Sequence, residues 1–494
     1  MWLTQLLERN RQCRPGRTAL VDEERSVTWA EFHDRTLELA RGLAELGIER
    51  GDRVAVLSKD RIEVLESYFA LARLGALFVP LNHSLAEPEV AGIIERVGAV
   101  AVIGESELLD RHPELPASVR IRLALDKPAF EALGTLAAER DLPEVADTDP
   151  IAVLHTSATT GQAKGVTVDS GSFRAIALGW LVMARPTDDI VMVNCCPLYH
   201  GSMVVSLTYL AAVATVVLMP GFTPQRALTA VERHRATHMW LVPQMLRFML
   251  QAKASHRTDL SCLREILYGA APMPLDVYAD AVERLGCGFR QVYGMTEVGG
   301  PFVTLGPDEH PAPGDVTARI PCGRVVPGMS ARAVDGGGRE LPPGEIGEIV
   351  VRGPGVMRGY WNDPQATREI TLDGWIRTGD LGFMDDEGRI SLVDRTKDVI
   401  IRAGQNVYPS EIERALLTHP AVRDAAVVGM PDEDYGEVPL AYVVPEPGAD
   451  PGAAALLGHV KGLLAPYKWP RRVEFIEQVP RNPAGKIVKK LLRA

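Results

Sequence analysis

One segment of this sequence gathers groups able to hold an anion: His155-Thr-Ser-Ala-Thr-Thr-Gly-Gln-Ala-Lys-Gly-Val166. Its small residues let backbone N–H groups approach phosphate oxygens. The hydroxyls of Thr156, Ser157, Thr159 and Thr160 add donors, Gly161 adds freedom, and Lys164 supplies positive charge. The apolar run Ile151–Leu154 precedes it, which reads as a strand delivering a loop. It is not a Walker A loop, because no G-x-x-x-x-G-K-[ST] occurs here or at Gly485-Lys486, where the required upstream glycine is Pro480. A Ser/Thr/Gly-rich loop taken alone is more often a plain loop than a phosphate site.

Other chemistries are excluded by composition and spacing. The six cysteines (Cys13, Cys195, Cys196, Cys262, Cys287, Cys322) show no CxxC spacing, so neither a zinc site nor a disulfide framework is expected. The N-terminus becomes charged by Glu8 and does not read as a secretory signal. Met203–Met219 carries no charge, yet a membrane span needs about 20 such residues. Its β-branched tail Val213–Val217 and the following Pro220-Gly221 suit a buried helix running into a buried strand. Net charge is −11, but Lys468–Arg493 holds eight Lys/Arg against two Glu. Without stacking aromatics or a continued basic stripe this does not indicate nucleic acid; a local phosphate site or a solvated face fits better.

With 494 residues the chain exceeds one core of ordinary size, so two or more domains are expected. Thr28-Trp-Ala-Glu31 reads as a capping box opening a helix closed by Gly47. Residues 52–58 read as a strand, Ile62–Leu74 as a helix, and the alternation recurs at Val100–Ile103, Ile151–Leu154 and Ile190–Asn194. This predicts a large α/β domain with mostly parallel sheets. After about residue 310, short β-like runs (Glu348–Arg352, Ile390–Val393) among Gly/Pro turns predict a small β-rich unit. The last hundred or so residues predict a smaller mobile α+β domain: helix 410–417, strands 421–428 and 438–444, helix 453–464.

The phosphate-type loop resembles the TSGTTGxPKGV signature of the adenylate-forming superfamily, which includes acyl-CoA synthetases, peptide-synthetase adenylation domains and luciferases. The resemblance runs along nearly the whole chain. In the family's order stand Leu74–Asn82, Tyr268-Gly-Ala-Ala-Pro272, Gln291-Val-Tyr-Gly-Met-Thr-Glu297, Gly347–Gly353, Gly359-Tyr-Trp361, Trp375-Ile-Arg-Thr-Gly-Asp380, Asp394-Arg-Thr-Lys397 and Pro480–Lys486. Ala158 and Ala163 depart from the usual Gly and Pro of the loop.

The resemblance implies an acid–thiol ligase that makes an acyl-adenylate from ATP and then a thioester with coenzyme A, with Mg²⁺ as cofactor. It implies that Thr159, Thr160 and Lys164 cover the β/γ-phosphates. Gly269, Ala270 and Ala271 would line the adenine, with Tyr293 on its ring. Thr296 would touch the α-phosphate and Glu297 ligate the metal. Asp380 would accept the ribose hydroxyls, Arg395 would support ribose or phosphates, and Lys486 would stabilise charge during adenylation. Lys397 would be the hinge between a domain at 1–396 and a lid at 397–494. Ala403 and Gly404 would border the pantetheine tunnel, with Ala403 where many relatives have a second Gly.

Pro197-Leu-Tyr-His200 resembles the family's gate to the acid pocket. Gly201 follows where amino-acid-activating relatives carry Asp, which disfavours a substrate ammonium. Walls expected at Met203, Trp240, Val292, Val298, Gly299 and Phe302 are mostly apolar, which suits an aliphatic or aryl acid. The acceptor is CoA or, alternatively, the pantetheine arm of a carrier protein. A monomer or homodimer in the cytoplasm is expected.

Overall fold

Short β-branched runs flanked by amphipathic helices form the chain's two larger sheets. The computed structural model describes residues 1–136, 141–156, 163–199, 201–315, 320–481 and 487–493. The chain divides into two compact units, one built from Met1–Ala158, Gln162–Ser330 and Arg352–Ile376, the other from Ala331–Val351 and Arg377–Ala494.

The first unit holds a nine-stranded and a seven-stranded sheet. In the nine-stranded sheet Thr18–Val21, Thr215–Leu218, Val191–Asn194, His238–Leu241, Glu265–Gly269 and Gly288–Met295 run parallel, and Gly300–Leu305 returns antiparallel. In the seven-stranded sheet Ile121–Ala124, Ala101–Gly104, Arg53–Leu57, Leu77–Leu81 and Pro150–His155 are parallel, with antiparallel Gly165–Asp169 and Gly359–Tyr360 at one edge.

Local signals position these elements. Thr28 Oγ1 accepts from the Glu31 N–H at 3.2 Å, and Glu31 Oε2 accepts from the Thr28 N–H at 2.7 Å. That box opens helix Trp29–Glu45, whose Phe32, Leu39 and Leu43 are buried. The uncharged run is helix Ser202–Ala211 followed by strand Thr215–Leu218, both wholly buried. Among the described residues no helix is long and apolar enough to cross a membrane.

In the second unit Val422–Asp432 and Gly436–Pro445 form an antiparallel pair, joined by Arg472–Phe475 in parallel. Helices Pro409–Leu417 and Ala453–Leu463 cover it through Ile412, Leu416, Leu456 and Val460. The basic C-terminal segment is largely neutralised within this unit. Lys468 pairs with Glu411, Arg481 with Asp424, Lys489 with Glu413 and Arg493 with Asp398.

The Lys489–Glu413 pair is the most buried of these, with Nζ to Oε1 at 2.9 Å. Burial pushes the Glu413 carboxyl above its usual range, against the pull of Lys489 and of the Val427 N–H donated to it at 2.8 Å. Lys489→Met leaves that carboxyl without its cation and should cost about 3 kcal/mol at pH 8. A carboxyl whose folded-state value lies above its unfolded one destabilises only as pH rises past the unfolded value, so the loss should shrink toward pH 4. Chemical denaturation of both proteins across that range measures this; a pH-independent loss would contradict it.

Candidate active site

The described ends of the loop singled out first belong to two paired strands. Strand Pro150–His155 pairs antiparallel with Gly165–Asp169, and His155 stands opposite Gly165. The Thr156 N–H donates to the Lys164 carbonyl at 3.1 Å, closing the loop's base. Ser157, Thr159, Thr160 and Gly161 lie outside the described residues, as do His200 and Lys486. A Cβ on Gly165 would come within 2.7 Å of Val153 Cγ1, so glycine is needed there by close packing. Burial, with a smaller push from Arg96, takes the His155 imidazole down to about 4, so it is neutral at pH 7.

A third strand, Gly359–Tyr360, pairs with Gly165–Asp169. The Arg358 N–H donates to the Thr167 carbonyl at 2.9 Å and the Trp361 N–H to the Gly165 carbonyl at 2.7 Å. These bonds deliver Tyr360 to the loop. Its ring centroid lies 4.9 Å from Lys164 Nζ, and its hydroxyl donates to Glu297 Oε1 at 2.8 Å.

Glu297 reaches this point through a tight reversal. Strand Gly288–Met295 ends in the single turn Thr296–Val298, and Gly299 takes φ +67°. A Cβ on Gly294 would lie 2.2 Å from the Gly300 carbonyl oxygen, so only glycine lets the returning strand approach. The Glu297 side chain is buried and its carbonyl accepts from the Met357 N–H at 2.9 Å. Burial first, and the Glu297 carboxylate second, push the Tyr360 phenol above its ordinary value, so it stays a donor. Lys164, Glu297 and Tyr360 therefore meet across almost two hundred residues of sequence. The first two were expected at a phosphate site. Tyr360 was visible only as the middle of a three-residue motif with no role attached.

Three of the predicted adenine and acid-pocket residues, Trp240, Gly269 and Val292, share one face of the nine-stranded sheet. Met239, Leu241, Ile266, Tyr268 and Phe289 point into the core beneath helices Pro224–His234, Pro243–Gln251 and Leu275–Leu285. By alternation Trp240, Gly269 and Val292 point to the other face. There Asn194 Nδ2 donates to Ser206 Oγ at 3.3 Å, which sets helix Ser202–Ala211, with Met203 in its first turn, on that side. A Cβ on Gly269 would lie 2.5 Å from the Val292 carbonyl oxygen and 3.2 Å from the Trp240 ring. Phe302 packs on Tyr293 with centroids 5.2 Å apart. Met203, Trp240, Val292, Val298 and Phe302 are all buried, and none is charged. Ala270 holds φ +66°, and Ala271 follows it half-buried. A non-glycine residue in that region is strained, as is common where a loop serves a ligand.

Beneath the segment leading to His200 lies a carboxyl the sequence did not single out. Asp60 is buried and accepts from the Leu198 N–H at 2.9 Å. Burial, only partly offset by that bond, pushes it up to about 8. A lone Asp before a helix reads as an ordinary cap, so no local signal marked it.

In the second unit, the Thr-Gly-Asp triplet is not a turn but the middle of strand Trp375–Met384. Gly379 takes φ +70°, and its N–H donates to Glu348 Oε1 at 3.2 Å. Thr378 Oγ1 donates to the Ile349 carbonyl at 2.7 Å and accepts from the Asp380 N–H at 3.1 Å. Asp380 is thereby buried opposite Arg395 on the adjacent strand, with Nε to Oδ1 at 2.7 Å. Lys397 sits in the turn Thr396–Asp398, and burial pulls its ammonium below the ordinary value. Ala403 and Gly404 are the two-residue loop of a hairpin in which Arg402 pairs with Gln405. Their φ values of +49° and +79° are both positive, as a type I′ turn requires. That explains a preference for glycine at 403.

Comparison with known proteins follows this geometry. A model of the AMP-binding enzyme family matches residues 7–361, and one of the AMP-binding enzyme C-terminal domain matches 411–486. The chain is 36% identical to the fatty acid–[acyl-carrier-protein] ligase ScoC of Streptomyces coeruleorubidus over 99% of its own length and 96% of the relative's. It is 37% identical to a feruloyl-CoA synthase of Amycolatopsis sp, covering 97% and 96% respectively. The crystal structure of ATP-bound MatB from Rhodopseudomonas palustris superposes with a TM-score of 0.91 at 31% identity, over 99% of this chain and 98% of that one.

Asp60 generates a pH-dependent expectation. Its folded-state value of about 8 lies above the unfolded one, so its contribution is intact at acid pH and is lost as pH rises toward 8. Asp60→Asn keeps the acceptor for Leu198 without the charge. The variant's thermal midpoint should match wild type near pH 4 and exceed it by several degrees near pH 8. A constant difference across that range would show that the carboxyl is ionised throughout.

Proposed function

The chain belongs to the AMP-binding enzyme family, and we propose that it activates a carboxylic acid as an acyl-adenylate and passes the acyl group to coenzyme A. In the first step a carboxylate oxygen attacks the α-phosphorus of ATP, the bond to the bridging oxygen breaks, and pyrophosphate leaves. In the second a thiolate attacks the acyl carbon and AMP leaves. The observation that carries this reading is the meeting of Lys164, Tyr360 and the buried Glu297 at the base of the phosphate loop.

The donor set suits Mg²⁺. Glu297 is a buried carboxylate hydrogen-bonded by a neutral phenol, and among the described residues no cluster of three or more His, Cys, Asp or Glu could cage a metal. A single carboxylate completed by substrate phosphate oxygens is the usual way a protein holds this ion. Bound there, the metal would neutralise charge on the departing pyrophosphate. Thr159, Thr160 and Lys164 would hold the β/γ-phosphates and Thr296 the α-phosphate. Tyr293, Gly269, Ala270 and Ala271 would hold the adenine, and Asp380 and Arg395 the ribose. Residues 397–494 would move about Lys397 between adenylation, served by Lys486, and thiol attack beside Ala403-Gly404.

The acid is an uncharged-tail aliphatic or aryl carboxylate, since the buried walls are apolar and offer no counter-charge. Six free cysteines accord with the reducing cytoplasm. The similarity to a carrier-protein ligase favours one second reading, transfer to a carrier's pantetheine arm.

Pyrophosphate release measured across a panel of fatty and aryl acids, each with and without CoA, tests the proposal. Release that turns over only with CoA supports the ligase. Release without CoA turnover, followed by labelling of a carrier protein, favours the second reading, and no release with any acid overturns both. Lys486→Ala should lower adenylation by about a hundredfold or more while thioester formation from supplied acyl-adenylate persists. Equal loss of both half-reactions would sink that division of labour.

A further inference from the structure

Tyr360 stands between two opposite charges. Its hydroxyl tethers Glu297 and its ring lies under the Lys164 ammonium. Among the described residues Lys164 and Glu297 form no ion pair with each other; each instead contacts Tyr360, one at the ring and the other at the hydroxyl. An ammonium and a carboxylate gathered about one side chain, in partly buried surroundings, attract each other. Were the ring absent, they would close into an ion pair. That pair would satisfy both groups and leave neither for a nucleotide.

We propose that Tyr360 is a positioning residue: its ring is a spacer that prevents the phosphate-binding lysine from collapsing onto the metal-binding carboxylate. This deepens the functional reading above and rests on it. A ring face holds an ammonium more weakly than a carboxylate does, so Lys164 is kept in place yet released readily to phosphate oxygens. The hydroxyl donates to Oε1 of Glu297, which leaves Oε2 for a metal.

The backbone of Tyr360 is fixed without help from any nucleotide. Tyr360 pairs with Val166 in the sheet, its N–H donates to Thr367 Oγ1 at 2.9 Å, and its carbonyl accepts from the Asp363 N–H at 3.2 Å. The spacer is therefore anchored on the same strand that carries the loop's outer arm. Lys164 and Glu297 approach it from separate segments.

The test is ATP binding by the full chain, measured calorimetrically in EDTA and again with Mg²⁺, for wild type, Y360F, Y360L and Y360L/E297Q. Y360F keeps the spacer and loses the tether; its metal-free ATP affinity should fall by less than about threefold, while the Mg²⁺ concentration needed for tight binding rises. Y360L should lose about tenfold or more in metal-free affinity, because Lys164 is captured by Glu297. Removing the captor in Y360L/E297Q should recover most of that loss. Recovery on deleting a second site residue is not expected from a merely structural defect, and thermal melts establish that each variant is folded. Metal-free affinity unchanged in Y360L, or a double variant as weak as Y360L, overturns the proposal. Absence of ATP binding by wild type would instead overturn the functional reading on which it stands.

Discussion

A carboxylate taken out of water must be compensated, and the fold around Glu297 shows how much chain that can require. Its compensation among the described residues is one phenolic hydroxyl. Bringing that hydroxyl to it needs the strand Gly359–Tyr360 on the edge of the seven-stranded sheet, and bringing Glu297 to the hydroxyl needs the reversal at Gly294 and Gly299. The contact therefore links the edge strand of one sheet to a turn at the end of a strand of another. Both sheets belong to the same unit, and this polar tie joins their functional edges. A neutral donor in place of a cation leaves the carboxylate only half satisfied, which suits a group reserved for an incoming ion.

What could be read from the sequence follows the range of the interaction concerned. The capping box at Thr28, the helix Ile62–Leu74 and the helix-then-strand reading of Met203–Met219 rest on neighbours within one or two turns, and the structure has them where the pattern put them. Strand positions in the first unit were legible for the same reason. The order of strands was not, because pairing of Pro150–His155 with Leu77–Leu81 is decided by packing between distant segments. The same limit applies to the site. Lys164 and Glu297 each sit in motifs that suggest phosphate and metal, but their meeting depends on Tyr360, which no pattern of charge or period marks.

Two local readings show how context overrides composition. Thr-Gly-Asp at 378–380 is a turn by propensity, yet it continues a ten-residue strand because Gly379 accepts a positive φ and Glu348 takes its N–H. The irregularity is what buries Asp380 against Arg395. The basic C-terminal stretch looked unmatched in sequence because its acidic partners Glu411, Glu413, Asp424 and Asp398 lie some sixty to a hundred residues upstream. Pairing in three dimensions thus gives four of the segment's cations acidic partners that a count along the sequence does not show.

The two half-reactions rest on structures of different kinds. The apolar residues assigned to the acid pocket in the first unit are buried, and close packing fixes the strands around them: a Cβ on Gly269 or Gly294 would strike backbone. Such positions have little freedom to shift, which suits a reaction needing an in-line approach to phosphorus. The loop assigned to the thiol is the opposite. Ala403-Gly404 is an exposed hairpin tip with nothing within 4 Å of a Cβ built on Gly404. Its shape comes from two positive φ angles, and its one alanine is held there at the cost of some backbone strain. One longer-range bond steadies it, the Ala403 N–H donating to the Tyr435 carbonyl at 2.8 Å, so the proposed thiol-side surface has its form set by its own unit.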